Sequence, residues 1–441
     1  MYELNTKFTI EENFNNAFAF KPNLTISSKI YQKIYKQLIT IFRFKHKFSN
    51  TKKFKKNLNI IIANLANAYF LKEGYFIFYT RDANNYKLAE RYNPHKLSYR
   101  PAIRAIKFLI TASLISHKKG FFDHDKEWGK RSRMRASPGL IEILKYCGLE
   151  DFNIREQNIE SIRLKDEKKQ YVDYEDTEDT REMRYNLIYY NNLLSRSKIS
   201  ILFNKPVNSF LDINPINFKN RQYHRIFNNK SWKLGGRYYG PWWQSISGDL
   251  RKFITINHKA IVELDYSSLH PLLLYGLKEI NYYQLKGEQS DPYILKGFGL
   301  KNRKLVKDVV NIALNMKTKK NFMNNIKNAL FMEGLDQQRK GLLNPYDIPS
   351  KNLVKKIIES FEKEHPLISN HLFTGVGLQL MNTDSSIAEY ILKQFVNKEI
   401  PVLCIHDSFM VNTKYESLLR EIMVKSFKVH NLISIPKIKN K

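Results

Sequence analysis

Cysteine is nearly absent: Cys147 and Cys404 are the only two in 441 residues, far apart and without CxxC spacing. That count speaks against a disulfide framework and a cysteine-based zinc site, and it leaves two buried thiols as the expectation. No stretch reaches the roughly 20 uninterrupted apolar residues of a membrane-spanning helix. The opening segment, MYELNTKFTIEENF, carries acidic residues where a secretory signal needs a basic and then an apolar stretch. A cytoplasmic protein is therefore expected. No internal repeat is visible, and the bias toward Lys, Asn, Ile and Phe matches an AT-rich genome. Acidic residues are scarce, 42 Asp plus Glu against 73 Lys plus Arg, for a formal charge of +31 spread along the chain. Such an excess calls for a polyanionic partner. Nucleic acid and an anionic membrane surface attract it through the same long-range field, and the membrane reading lacks any further support.

What is present allows a packed protein. Apolar residues make up 43% and aromatic residues 13% of the chain, enough for a core and for two or three domains. The first ninety residues read mostly as helix, with apolar positions at Ile60, Ile61, Leu65 and Phe70 and a turn at Gly74. A second helix is expected after Ser98 as N-cap, with Ile103, Ile106 and Ile110 as its apolar face and Arg100, Arg104 and Lys107 opposite. It is followed by a short apolar run (Leu114, Ile115), a turn with Lys118, Lys119 and Gly120, and a basic return through Arg131, Arg133 and Arg135. Helix, strand and basic hairpin in that order, over about 60–145, resemble a winged helix-turn-helix, whose basic helix enters a groove while the hairpin follows phosphates. The plainer alternative is an ordinary solvated basic face.

Residues 149–182 turn acidic, with Glu156, Glu160, Asp166, Glu167 and the run Asp173, Glu175, Asp176, Glu178 and Asp179, and read as a linker or an exposed acidic face. A helix is expected around Met183–Leu194. The expected division is 1–148, a helical region with the winged helix; 149–230, an acidic and helical connector; and 231–441, the part that carries chemistry.

In that last part the segment AIVELDYSSLHPLLLYG ends an apolar strand at Asp265 and runs at once into helix. The segment PVLCIHDSFMVN reads as two apolar strands around a tight His406-Asp407-Ser408 turn, a β-hairpin with a carboxylate at its tip. Phosphoryl transfer to a 3′-hydroxyl uses two divalent cations roughly 4 Å apart, and two aspartates on adjacent strands can bridge them. Magnesium, with manganese as an alternative, takes few carboxylates and leaves its other positions to water and phosphate. Between the two segments, Arg303, Lys307, Asn311 and Asn315 recur every four residues along one helix face. Taken alone, that spacing more often marks a surface helix. Beside the aspartates it would place a Lys and an Arg on a triphosphate, with Lys307 able to protonate the leaving pyrophosphate. Before Asp265 comes Gly235-Gly236-Arg237-Tyr238-Tyr239-Gly240, then Trp242, Trp243 and Gln244: a close-approach turn with an arginine and aromatics that suit phosphates and bases.

With these residues in order, 231–441 resembles the single-subunit polymerase superfamily, meaning family A DNA polymerases with phage-type and mitochondrial RNA polymerases. The GR turn, the DYS motif, the Arg/Lys helix and the HDS turn stand in the family's sequence. The resemblance implies an α+β right-hand core of palm, fingers and thumb, with part of 149–230 as thumb. It makes Asp265 and Asp407 metal ligands, assisted by the carbonyl of Tyr266. Arg303 and Lys307 become the triphosphate pair, and Asn311 or Asn315 stands where the family has an aromatic. Arg237 becomes a template or primer contact, with Tyr239 and Gln244 beside it, and His406 a neighbour of the primer end. Gln379 and Asp384 fall on a helix behind the HDS turn. His270 occupies a sugar-selecting position, where a bulky side chain favours deoxynucleotides, while the Ser of HDS is more typical of the RNA enzymes. DNA template, primer and nucleoside triphosphates are the implied partners. No acidic cluster suits a proofreading exonuclease. The alternatives are an RNA polymerase or primase, and a replication initiator with an inactive palm.

Overall fold

The computed structural model describes residues 17–42, 51–123, 128–213, 216–339 and 349–441. The chain forms two compact units, the first from Met1–Glu160, Gln170–Asp173 and Leu211–Asn217, the second from Ser161–Lys169, Tyr174–Phe210 and Phe218–Lys441. Both mix helix and sheet. The acidic stretch 149–182, expected as one connector, is divided between them.

In the first unit the elements run β1 (Ala17–Ala19), β2 (Leu24–Ile26), α1 (Ser28–Phe42), α2 (Lys52–Leu71), β3 (Phe76–Tyr79), α3 (Tyr99–Thr111), β4 (Ile115–Lys118), β5 (Phe121–Asp123), β6 (Trp128–Lys130), β7 (Ser132–Ala136), α4 (Pro138–Tyr146) and β8 (Ile154–Glu156). Strands β1-β3-β7-β4 form one sheet, in which β4 and β7 are an antiparallel pair. The start is mostly helical among its described residues, as expected, but it also holds three strands before residue 80. Each is only three or four residues long, too short for a period-2 signal to stand out from helical neighbours. Helix α2 follows the expectation in part: Ile60, Ile61 and Leu65 are buried and Gly74 turns the chain at φ 82°, but Phe70, expected with them, is exposed near the helix end. Helix α3 departs from it in register. Its core stripe is Ala102, Ala105, Ile106 and Leu109, while Ile110 is exposed. Ser98 holds the N-cap position, but its side chain makes no capping hydrogen bond.

In the second unit come β9 (Ile162–Leu164), α5 (Glu178–Arg196), β10 (Ile199–Ile201), β11 (His224–Asn228), β12 (Ser231–Tyr239), β13 (Ile254–Ile256), β14 (Lys259–Tyr266), α6 (Leu269–Gly276), α7 (Arg303–Asn315), α8 (Lys319–Arg339), α9 (Lys351–Glu364), α10 (Gly377–Val396), β15 (Leu403–Ile405), β16 (Ser408–Asn412), α11 (Glu416–Val429) and β17 (Ile438–Asn440). Helix α5 begins at a reciprocal capping box between Thr177 and Thr180. The central sheet has the order β10-β13-β14-β16-β15, and β17 pairs with the far end of β14. Two-residue turns set its register. Asn257 and His258 both adopt positive φ between β13 and β14, as a type I′ hairpin requires, and His406 does so between β15 and β16. A second sheet, β12-β11-β9, packs its β12 against α10. Both cysteines are buried free thiols. No helix among the described residues is long and apolar enough to cross a membrane.

Candidate active site

The two aspartates meet where β14 and β16 pair. Asp265 stands in register with Ser408, Asp407 is at the tip of the β15–β16 hairpin, and the Tyr266 amide donates to the Asp407 carbonyl at 3.3 Å. A like-charged pair at a buried sheet end raises the cost of ionising both. Burial first and Asp407 second push Asp265 up to about 6, against the pull of Lys441 and Lys307. Burial acts on Asp407 in the same sense, but Arg237, then Lys307 and Lys441, outweigh it and hold its carboxyl below the ordinary range. One member thus stays charged while the other is poised to take a cation.

A lysine remote in sequence already answers that demand. Lys441 Nζ lies 2.8 Å from Asp265 Oδ1 and 3.9 Å from Glu263, held there by β17 pairing with β14. The donors are all hard oxygens, and the carboxylate pair has drawn an ammonium onto itself; both fit a magnesium site. Among the described residues no cluster of three or more His, Cys, Asp or Glu stands together. Two carboxylates suffice for an ion that keeps waters and phosphate oxygens.

Beneath Asp265, Glu263 accepts from Arg251 at 2.8 Å on both oxygens and from Ser408 Oγ at 2.6 Å. Neither Glu263 nor Lys441 was singled out in the sequence. Glu263 was within reach, since period 2 sets it on the face of Asp265; Lys441, 176 residues away, carried no local signal.

Helix α7 buries Leu305, Val306, Val309, Val310, Ala313 and Leu314 and turns Arg303, Lys307, Asn311 and Asn315 away from that core. Lys307 is exposed and acts on both aspartates. Arg303 is held by Asp291 at 2.7 Å and donates to Ser268 Oγ at 3.0 Å. Asn311 accepts from the Tyr293 hydroxyl, and Asn315 donates to the Asn311 carbonyl.

Other residues are committed to protein partners. Arg237, expected on template or primer, pairs with Asp384 of α10, whose side chain is 1% exposed, and also contacts His270 at 3.2 Å. Gln244, expected beside it, bonds the backbone of Gly240, Tyr238 and Cys404. The Tyr266 side chain is buried and donates to the Met423 carbonyl, leaving its backbone at the strand junction. Tyr239 and His406 meet ring to ring at 5.4 Å, and Gln379 is exposed on α10.

The basic residues of α3 and of the strands after it belong to the first unit. Arg100, Arg104 and Lys107 share the exposed face of α3, and Lys118 is exposed at the end of β4. Arg133, expected on phosphates, is only 8% exposed within β7 and donates to the Arg131 carbonyl; Ser132 and Met134 on either side of it are buried too, so both faces of the strand are covered there.

Comparison with protein-family models and with curated proteins gives no match. Among solved structures, the chain is similar to the POL domain of Pol1 from M. smegmatis in complex with DNA primer-template and dNTP, at 9% identity and a TM-score of 0.28, over 99% of this chain and 69% of that one.

Proposed function

We propose that the chain is a template-directed nucleotidyltransferase, a DNA polymerase without proofreading that extends a primer with dNTPs in the replication of a mobile, phage or plasmid-type element. The observation that carries this reading is the pairing of β14 with β16, which sets Asp265 beside Asp407, with Lys307 of α7 acting on both carboxylates. In it, 231–441 supplies palm and fingers, part of 149–230 the thumb, and the first unit a DNA-binding module.

Asp265 and Asp407 would hold two magnesium ions, with manganese as a substitute and the Tyr266 carbonyl as a further oxygen donor. When bound, such ions activate the 3′-hydroxyl and neutralise the triphosphate. The protein's own groups do the rest. Arg303 and Lys307 neutralise the phosphates, and Lys307 is exposed and placed to give a proton to the departing pyrophosphate. His270, fixed by Arg237 and Asp384, stands where a ribose 2′-hydroxyl would need room. His406, packed on Tyr239, borders the primer end. In the first unit, the β3-β7-β4 sheet with α3 before its hairpin supports the winged-helix reading, with Arg100, Arg104, Lys107 and Lys118 as phosphate contacts.

The test is primer extension on a primed DNA template with magnesium, run with dNTPs, with NTPs and without primer. Extension from dNTPs that disappears in Asp265→Asn and Asp407→Asn, by at least about a thousandfold, is the expected result. Products from NTPs alone would make the chain an RNA polymerase or primase. Absence of product under every condition would leave a DNA-binding initiator.

A further inference from the structure

Three lysines alternate through β17 and the residues on either side of it, Lys437 before, Lys439 within and Lys441 after, so the period of a strand sets them on one face. Antiparallel pairing brings that face to the site: Lys439 is the register partner of Asp265, and the Ser267 amide donates to the Lys437 carbonyl at 2.8 Å. Directly opposite residues in such a pair stand roughly 5 Å apart at Cβ, on the same side of the sheet. Lys441 takes the Asp265 carboxylate at 2.8 Å.

The other two lysines border a cavity of about 320 Å³ that also takes in Ser267, Ser268, Asp291 and Arg303. That volume is at the lower end of small-molecule sites, which run from roughly 300 to 1,000 Å³. Its charged groups are Arg303, Lys437 and Lys439 against Asp291 alone, a surplus of two positive charges in a concave wall. Asp291 is already engaged by Arg303 and by the Ser268 hydroxyl. Lys437 donates to Gln289 at 3.3 Å and lies 5.4 Å from the Tyr283 ring, both neutral partners, and Lys439 is exposed. Neither has a carboxylate within ion-pairing distance among the described residues. A concave wall with surplus ammonium and guanidinium groups, hydroxyl donors and a metal-type carboxylate next to it is built for a polyphosphate.

We propose that Lys437 and Lys439 of this strand, with Arg303 across the cavity, form a polyphosphate-binding subsite for the triphosphate of the incoming nucleotide or the pyrophosphate released from it. The assignment rests on the polymerase reading for its biological ligand, but the subsite can be measured without synthesis. Helix α7 then supplies only one wall of the phosphate site, and the strand that ends beside Asp265 supplies the other.

The experiment is a calorimetric titration of inorganic pyrophosphate into the full chain in magnesium-free buffer, for the wild type, the double variant Lys437→Gln with Lys439→Gln, and the charge-preserving double variant Lys437→Arg with Lys439→Arg. The Gln pair should bind about tenfold more weakly or worse, since two charge-assisted contacts are lost, and the Arg pair should stay within about threefold of wild type. Both lysines lie outside the core, so the Gln pair should keep its fold, which the Arg pair and a circular dichroism spectrum check. Wild-type affinity in the Gln pair, or no pyrophosphate binding by the wild type, overturns the proposal. So does loss of primer-template affinity with pyrophosphate binding unchanged, which would assign the lysines to a nucleic-acid backbone. A parallel rise in dNTP KM points to the incoming nucleotide, and weaker product inhibition alone to the leaving pyrophosphate. If no primer is extended but these lysines still bind pyrophosphate, the polymerase reading falls and the subsite stands.

Discussion

Asp265 shows how a buried carboxylate beside a like charge weakens the fold that holds it. Its folded pKa, about 6, is above the ordinary value of 3.8 because burial and Asp407 both disfavour its charge. The folded chain therefore holds this proton more tightly than the unfolded chain. The stability it contributes is full below about pH 4 and is lost as pH rises through about 6. In chelator-containing buffer, wild type should lose on the order of 2 kcal/mol more than Asp265→Asn between pH 4 and pH 7.5, after allowance for a side chain that is 20% exposed. Urea melts at the two pH values check this. Equal losses in both proteins would mean that solvent or Lys441 already relieves the charge. Arg237 teaches a related lesson. As a motif residue it suggested contact with nucleic acid, yet Asp384 holds it in an ion pair that ties β12 to α10. The glycines and Arg237 stood out in the sequence as a turn, but Gly235 and Gly236 lie inside β12, where its pairing with β11 shifts register at positive φ; the partner of Arg237, 147 residues away, left no local signal.

Among elements, β11 pairs with β12 and β12 packs against α10. Arg225, whose side chain is 3% exposed, pairs with Glu389 of α10 at 2.7 Å and lies over the rings of Phe227 and Tyr238. Removing one partner of such a pair leaves a charge without its counter-ion, at a cost of about 3 kcal/mol or more. Arg225→Met should lower stability by that order, and adding Glu389→Leu should restore much of it; thermal melts of the three proteins decide. A double variant no better than the single one would place the cost in lost packing and cation–π contact. The hairpins were the most readable elements. Two apolar runs around His406-Asp407-Ser408 predict a tight turn; the structure closes it in two residues, with His406 at left-handed φ and Ser408 already in β16. The short strands β1 to β3 were not readable, because three or four residues stay extended only when neighbouring strands complete their hydrogen bonds.

For the molecule as a whole, the +31 charge sets the expected behaviour toward polyanions. DNA affinity should fall steeply with salt, the logarithmic slope counting the phosphates neutralised. Arg100→Gln with Arg104→Gln should reduce that slope by about 2 if the exposed face of α3 contacts phosphates. Fluorescence anisotropy across a salt series measures it, and an unchanged slope would make that face a solvated surface. Composition, charge and the order of four short motifs were determined by the sequence alone, because charge is additive and each motif is contiguous. Which carboxylates are buried together, that Arg237 serves Asp384, that Arg133 is buried and that Lys441 reaches Asp265 were decided only in the tertiary structure. Each depends on strand register and helix packing between residues far apart in the chain, and no local pattern encodes that distance.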